Sequence, residues 1–389
     1  MQADRWEQGS DFHLPAIWHE AHADLLRAPA TPPWRSRAHA YASGRDAFHA
    51  LIGHGMQTRG WRRLWVPSYY CQRVVASLVQ TGISLAVYTD GPDMAAPELD
   101  EDSLREGDVL LAVNFFGLRA ALALPPSLQS RLELIEDHTH DPWSPWAAAS
   151  TADWCVASLR KTLPLPDGGM LWSPGGHALP AAPVSSPQRD AGSQRRLAAM
   201  LLKAMYLDGA VVEKAVFRQL YLEAEQALDE AGTSAMTAWA QALNRVMPVA
   251  SMRPWRRRNW DRLAAAVESM AGAADTPAVR VLRPDDAQAC PLGCQLVFDT
   301  PSLRDAIRER LNRERIYTAV LWPLDTPVLP GVPARHRRLG KTMLSIHCDN
   351  RYGEADMERV ADALGNALAE EARAPLAQDP PAMASLALK

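Results

Sequence analysis

The chain is expected to fold as an α/β protein: a large domain with a mostly parallel sheet sandwiched by helices, joined to a smaller C-terminal α+β domain. Three observations carry this expectation. Short apolar runs at residues 109–116 and 154–157 lack the alternation of a one-sided sheet, so they call for burial on both faces. Helical patterns separate these runs, as in parallel-sheet proteins. A length of 389 residues exceeds what one simple core organises, so a second unit is expected.

Residues 1–35, rich in Trp, His, Ala and Pro, read as an N-terminal arm, and residues 36–250 as the large domain. In order, the large domain starts with a helix over 45–54 behind Ser43-Gly44, a buried strand over 64–67 and a helix over 73–80. Apolar or β-rich runs bounded by turn residues then predict strands at 83–89, 109–116, 132–135 and 154–157, with one more at 168–172 after a Pro-rich turn. Residues 174–195 read as a loop, followed by one helix over 196–231. Leu197, Leu201, Met205, Val212, Val216 and Leu220 are that helix's expected core face. The small domain, residues 251–371, combines helices at 260–270, 303–314 and 354–370 with strands at 294–298, 317–321 and 344–347. Residues 372–389, with Ala-Pro and Asp-Pro-Pro, are expected to be a disordered tail.

Composition removes several function classes. A net charge of −4 argues against a nucleic-acid binder, and the basic run Arg253-Pro-Trp-Arg256-Arg257-Arg258 reads as the start of a solvated helix. No apolar stretch reaches transmembrane length, and the first residues lack a leader's basic and apolar regions, so a cytoplasmic location is expected. Five scattered cysteines suit reduced thiols, with Cys290 and Cys294 read as buried rather than metal-binding.

The chemistry concentrates around Lys161, in Ser158-Leu-Arg-Lys161-Thr-Leu-Pro-Leu-Pro-Asp167-Gly168-Gly169. A lysine amine forms a Schiff base with an aldehyde, the attachment that pyridoxal 5'-phosphate uses. Asp137 closes an apolar strand, where a carboxylate is costly unless a cation or cationic ring pairs with it. Ser43-Gly44-Arg45 opens a helix, and the free N–H groups of a helix start attract phosphate. Ser158 can add a hydroxyl to the same phosphate. Each piece alone has a plain structural reading: an N-cap, a salt-bridged aspartate, a surface lysine. Their joint occurrence in this order points to the cofactor.

On these pieces the chain resembles the DegT/StrS-type sugar aminotransferases of the fold type I pyridoxal-phosphate superfamily. The matching segments are residues 43–51, 66–71, Asn114-Phe-Phe-Gly117, Glu136-Asp137-His-Thr-His140, 158–169 and 340–352. The resemblance implies that Lys161 carries the cofactor and moves protons, that Asp137 binds the ring nitrogen, and that His140 lies near the ring oxygen. Ser158 with the Gly44 and Arg45 amides holds the phosphate, and Tyr70 or Tyr69 stacks on the ring. It further implies amino transfer from an amino acid donor such as glutamate to a keto acceptor, a sugar or sugar nucleotide, in a homodimer with sites at the interface. The chain departs from the family in having three rather than five residues from serine to lysine, arginine for threonine at Arg45, and asparagine for histidine at Asn114. The family's asparagine-arginine segment, which reaches the neighbouring subunit's phosphate, is not found in the sequence.

Three other readings compete. Lys161 and Asp137 equally serve other pyridoxal-phosphate chemistry. A fold type I relative without catalysis is a second reading. His138 and His140, two apart on a strand, point to one side and suggest the ligands of a metal-dependent hydrolase.

Overall fold

The computed structural model describes residues 5–14, 32, 38–122, 124–129, 131–229, 232–271 and 279–373. Among the described residues, twelve strands run in chain order: β1 (Gln8–Gly9), β2 (Ala38–Tyr41), β3 (Arg63–Pro67), β4 (Ser84–Tyr88), β5 (Asp108–Val113) and β6 (Glu133–Asp137). β7 (Trp154–Ser158), β8 (Gly169–Trp172), β9 (Val279–Val281), β10 (Gly293–Phe298), β11 (Ile316–Tyr317) and β12 (Met343–His347) complete them.

Seven strands form the large sheet in the order β2-β8-β7-β6-β5-β3-β4. From β7 to β4 all neighbours are parallel, and β8 runs against both β2 and β7. Every residue of β5 and β7 is buried, as a sheet covered on both faces requires. The expected α/β architecture is therefore present. In such sheets, ligands lie beyond the carboxyl ends of the strands. Here those ends deliver Tyr70, Asp137 and Ser158 just after or at the last residues of β3, β6 and β7.

The smaller sheet, β12-β10-β9, is antiparallel, with a separate core in which Leu263, Leu296, Ile307, Ile346 and Leu364 are fully buried. Helices Val249–Ala271, Pro301–Arg313 and Glu354–Arg373 supply its other side. β1 pairs in parallel with β11, tying the N-terminal segment to the C-terminal part of the chain. No helix among the described residues is long and apolar enough to cross a membrane.

The structure corrects several local expectations. The strand expected at 109–116 stops at Val113, because Phe116 turns to φ +53° in the short turn Phe115–Gly117. The loop of 174–195 ends early, since a helix runs over Pro187–Leu207. The single helix over 196–231 is two, Pro187–Leu207 and Lys214–Asp229, broken at Gly209 with φ +92°. Its expected core face holds only in part: Val212 and Leu220 pack against buried residues and Leu197 is half-buried. Leu201, Met205 and Val216 are about half exposed (49%, 49% and 48%), and the buried face of the first helix is Arg189, Gly192, Ser193, Arg196, Ala199, Met200 and Lys203. The basic run at 253–258 is not simply solvated: Arg256 is buried, and both Arg253 and Arg256 bond Asp141. Of the strand expected at 317–321, Tyr317 pairs as the end of β11 and Ala319 makes an isolated antiparallel bridge to Ser345, so the run is not one continuous strand. Cys290 and Cys294 are buried free thiols. Most of the expected tail and of the N-terminal arm lie outside the described residues; within the tail segment, residues 372 and 373 belong to the last helix.

Candidate active site

One cleft gathers all seven residues singled out from the sequence. Gly44, Arg45, Tyr70, Asp137, His140, Ser158 and Lys161 line it together, with about 110 Å³ of free space. A second cavity of about 520 Å³ shares Arg73, Arg160, Lys161 and Glu225 with that cleft. A slightly larger cavity, about 580 Å³, lies elsewhere, against Tyr41, His54, Pro180 and Arg189. None of the seven lines it, so chemistry rather than size selects the site.

The helix Gly44–Thr58 starts under a reciprocal cap: Ser43 Oγ accepts from the Asp46 amide at 3.1 Å and donates to Asp46 Oδ2 at 2.5 Å. Helix geometry leaves the Gly44 and Arg45 amides without intrahelical acceptors. Gly44 faces Ser158 so closely that a Cβ there would stand 3.1 Å from the Ser158 Cβ. Gly169 allows the whole approach, since a Cβ on it would fall 2.3 Å from the Ser43 carbonyl carbon. The Arg45 guanidinium turns away to Asp229 and the Leu228 carbonyl, so only its amide faces the seat.

Asp137 ends β6 with both oxygens engaged. Oδ2 accepts from the Tyr70 hydroxyl at 2.6 Å, and Oδ1 from the Thr139 amide at 2.9 Å. Burial and the adjacent Asp137 charge push the Tyr70 phenol well above its usual pKa, so it remains a donor. Thr139 Oγ1 in turn accepts from the Ser158 amide at 3.0 Å, which links the ends of β6 and β7. His140 Nδ1 accepts from the Phe116 amide at 3.0 Å, and this fixes the proton on Nε2. Burial first, then the Lys161 charge, lower His140 to about 3, so the ring is neutral. Trp322, at φ +56°, lies over His140 with ring centroids 5.1 Å apart and closes one side of the cleft. Of the two tyrosines left open by the sequence, only Tyr70 lines the cleft. Tyr69 is packed below, donating to the Leu321 carbonyl at 3.3 Å.

Lys161 ends the turn Leu159–Lys161. Its side chain is exposed, because it fronts both cavities. Among the described residues, its amine makes no hydrogen bond or ion pair. Repulsion from Arg160, then burial, lower its pKa from 10.5 to about 8. The sequence reading missed Thr139, Arg160 and Glu225. Thr139 and Arg160 sit inside motifs already marked, whereas Glu225 arrives from a helix 64 positions downstream of Lys161, with no local signal.

These residues fit pyridoxal phosphate. An unpaired lysine amine, a carboxylate for a protonated ring nitrogen, and two open amides beside a hydroxyl match the group's aldehyde, ring nitrogen and phosphate.

The histidines of the competing metal reading do not converge. His138 bonds Glu136 at 2.9 Å and packs on Trp146, whereas His140 bonds Phe116 and packs on Trp322. Among the described residues, the only group of three potential metal ligands is Glu136, His138 and Cys155, and His140 is not part of it.

No family model matches the chain, and no curated protein does. Solved structures do. DesV from S. venezuelae, in complex with a ketimine intermediate, is 17% identical over 95% of this chain and 99% of its own, at a TM-score of 0.59. A putative sugar aminotransferase from Streptococcus pneumoniae in its PLP form is 12% identical over 94% and 99%, at 0.60. A DegT DnrJ EryC1 StrS aminotransferase from Brucella abortus is 15% identical over 92% and 91%, at 0.56. The chain thus has the fold of the DegT/StrS-type aminotransferases, the fold type I architecture.

Proposed function

We propose that the protein is a pyridoxal-phosphate-dependent aminotransferase that moves an amino group from an amino acid donor, such as glutamate, to a keto acceptor, a sugar or sugar nucleotide. The observation that carries this reading is the convergence of Lys161, Asp137, Ser158 and the Gly44 amide on one cleft in this fold. The bound cofactor supplies an electron sink that stabilises negative charge on the substrate's carbon.

The chain's own residues do the rest. Asp137, held by Tyr70 and Thr139, keeps the ring nitrogen protonated. Ser158 Oγ and the Gly44 and Arg45 amides bind the phosphate. The His140 Nε2–H would be the donor available to the ring oxygen, and Trp322 would narrow water access. Lys161 would hold the cofactor's aldehyde, and its amine would serve to move a proton at the substrate carbon. Two solved structures with this fold, the one from Streptococcus pneumoniae and CalS13 from Micromonospora echinospora, bear sugar-aminotransferase names, which supports a sugar acceptor.

The reading includes a homodimer. Its support is the exposed apolar row Leu201, Met205, Val216 and Leu222 on the helical hairpin beside the second cavity. A monomer in sedimentation at working concentration would remove that part.

The decisive experiment loads the protein with pyridoxal phosphate, reduces it with borohydride and maps peptides by mass spectrometry. The pyridoxyl mark is expected on Lys161, and Lys161→Ala is expected to lose it while keeping its circular dichroism. A mark elsewhere, or none, sinks the assignment. Glutamate added to the loaded protein should change its visible spectrum.

A further inference from the structure

His140 enters the cleft from the segment after β6, and the residues supporting it on both sides are bonded to the C-terminal part of the chain. The first support is Phe116, whose amide donates to His140 Nδ1 at 3.0 Å. The Phe116 carbonyl in turn accepts from the Leu292 amide at 2.7 Å, one residue before β10, and the Leu118 carbonyl accepts from the Asp285 amide at 2.9 Å. The second support is Asp141, the next residue along, which is buried. Arg253 donates to it from two nitrogens, Nε to Oδ1 at 3.0 Å and Nη2 to Oδ2 at 2.8 Å. Arg256 adds a bond to Oδ1 at 3.3 Å and another to the Cys290 carbonyl at 3.3 Å. Both arginines belong to the helix Val249–Ala271, which also packs on the smaller sheet.

The ring itself is braced. Phe116 and Trp322 pack on His140 with centroids 5.4 Å and 5.1 Å away, and on each other at 5.0 Å. Among the described residues, Ser10, Phe116, Arg315 and Trp322 are the non-glycine positions with positive φ. Two of these four therefore pack on one histidine. A bulky residue held in that region costs conformational energy that the surrounding contacts must outweigh, and such strain collects where geometry serves a function.

We propose that Asp141, clamped by Arg253 and Arg256, is a positioning residue for His140, through which docking of the C-terminal part of the chain aims the Nε2–H. The inference rests on reading the cleft as a pyridoxal-phosphate site, where that N–H serves the cofactor's ring oxygen. A donor on an imidazole ring is useful only when both its tautomer and its plane are fixed. The Phe116 amide fixes the tautomer, since Nδ1 must be bare to accept from it. The clamp fixes the plane by anchoring the adjacent backbone, because a two-pronged arginine–carboxylate bond sets direction as well as distance. Asp141 does not line the cleft, so its effect passes through His140.

The test has two readouts on the full-length protein. The first is nitrogen-15 NMR of the histidine rings before cofactor loading, with the His140 signals assigned by their loss in His140→Gln. The unsubstituted protein should show one protonated and one bare nitrogen on His140. In Asp141→Asn and in Arg253→Met the two signals should move toward each other as the second tautomer becomes populated. The second readout is pyridoxal phosphate affinity by fluorescence titration. Asp141→Asn should weaken it about fivefold, roughly 1 kcal/mol. In a His140→Ala background the same substitution should change it by less than about twofold, as a double-mutant cycle through one residue requires.

Unchanged His140 signals in both variants, or the full weakening persisting without His140, overturns the proposal. A merely structural contact would lower the melting temperature and leave the ring nitrogens distinct. If Asp141→Asn does not fold by circular dichroism, Arg253→Met decides, since Asp141 then keeps Arg256. Peptide mapping after borohydride reduction tests the cofactor reading separately. A pyridoxyl mark away from Lys161 refutes that reading, while the ring signals still decide whether the clamp orients His140.

Discussion

Two glycines set the geometry of the proposed phosphate seat, each for a distinct steric reason. Gly169 presses β8 against the first turn of the helix Gly44–Thr58, where an added Cβ would meet backbone atoms at 2.3 Å and 2.6 Å. Backbone cannot rotate aside, so Gly169→Ala should cost about 1–3 kcal/mol, read as a lower urea midpoint. Gly44→Ala is milder, because the nearest atom is the Ser158 Cβ at 3.1 Å. That variant should fold but bind pyridoxal phosphate about tenfold more weakly, a loss of roughly 1.4 kcal/mol in a fluorescence titration. Asp137, Ser158 and Lys161 were all legible in the sequence, because each sits at a strand end or in a Gly-Gly turn. The tyrosine was not. Tyr69 and Tyr70 are adjacent, and only the path of the chain after β3 sends Tyr70 to Asp137 and Tyr69 beneath it.

The helical hairpin is where local pattern and fold disagree most. Helical spacing of Leu201, Met205 and Val216 suggested a core face, yet those side chains point outward, and Arg196 and Lys203 point inward. Apolar periodicity identifies an amphipathic helix but not what each face meets. Here the inward cations find carboxylates delivered by other elements: Glu225, Asp11 and Glu7. Removing the shared carboxylate leaves Arg160 without its partner and Arg196 with Asp11 alone. Glu225→Ala should therefore lower unfolding stability by about 2–3 kcal/mol, below the roughly 3–5 kcal/mol of a fully buried pair. The reduction reflects a Glu225 side chain still 27% exposed to the cavity. Thermal or urea unfolding checks it, and no change would mean that the cluster is held by its surroundings alone.

At the scale of the whole molecule, residues 7–12 act as a strap between the hairpin and the C-terminal part. Glu7 pairs with Lys203 and Lys214, Tyr221 donates to the Phe12 carbonyl, and Arg351 donates to the Asp11 carbonyl. Arg351 is itself set by Asp349, through bonds of 2.6 Å and 2.8 Å. Burial alone would raise the Asp349 carboxyl, but the Arg351 charge and its hydrogen bonds outweigh that and hold it at about 2. A carboxyl lowered from 3.8 stabilises the fold above its unfolded value, and the stabilisation is lost as pH falls from about 3.8 to about 2. Unfolding followed by tryptophan fluorescence should show that acid loss, and Asp349→Asn should flatten it in that window. Equal slopes in the two proteins would assign the acid sensitivity to other carboxylates.

The sequence by itself determined the fold class and named most of the residues that line the candidate cleft. Buried runs without alternation require a sheet covered on both faces, and functional side chains at strand ends are tied to the backbone that the pattern already specifies. What only the tertiary structure decided is the surrounding charge. Glu225, Arg196 and Asp11 reach Lys161 and Arg160 from segments distant in the chain, and no local periodicity encodes which carboxylate meets which cation. Long-range ion pairing follows from how helices dock, and docking is settled by the whole core at once.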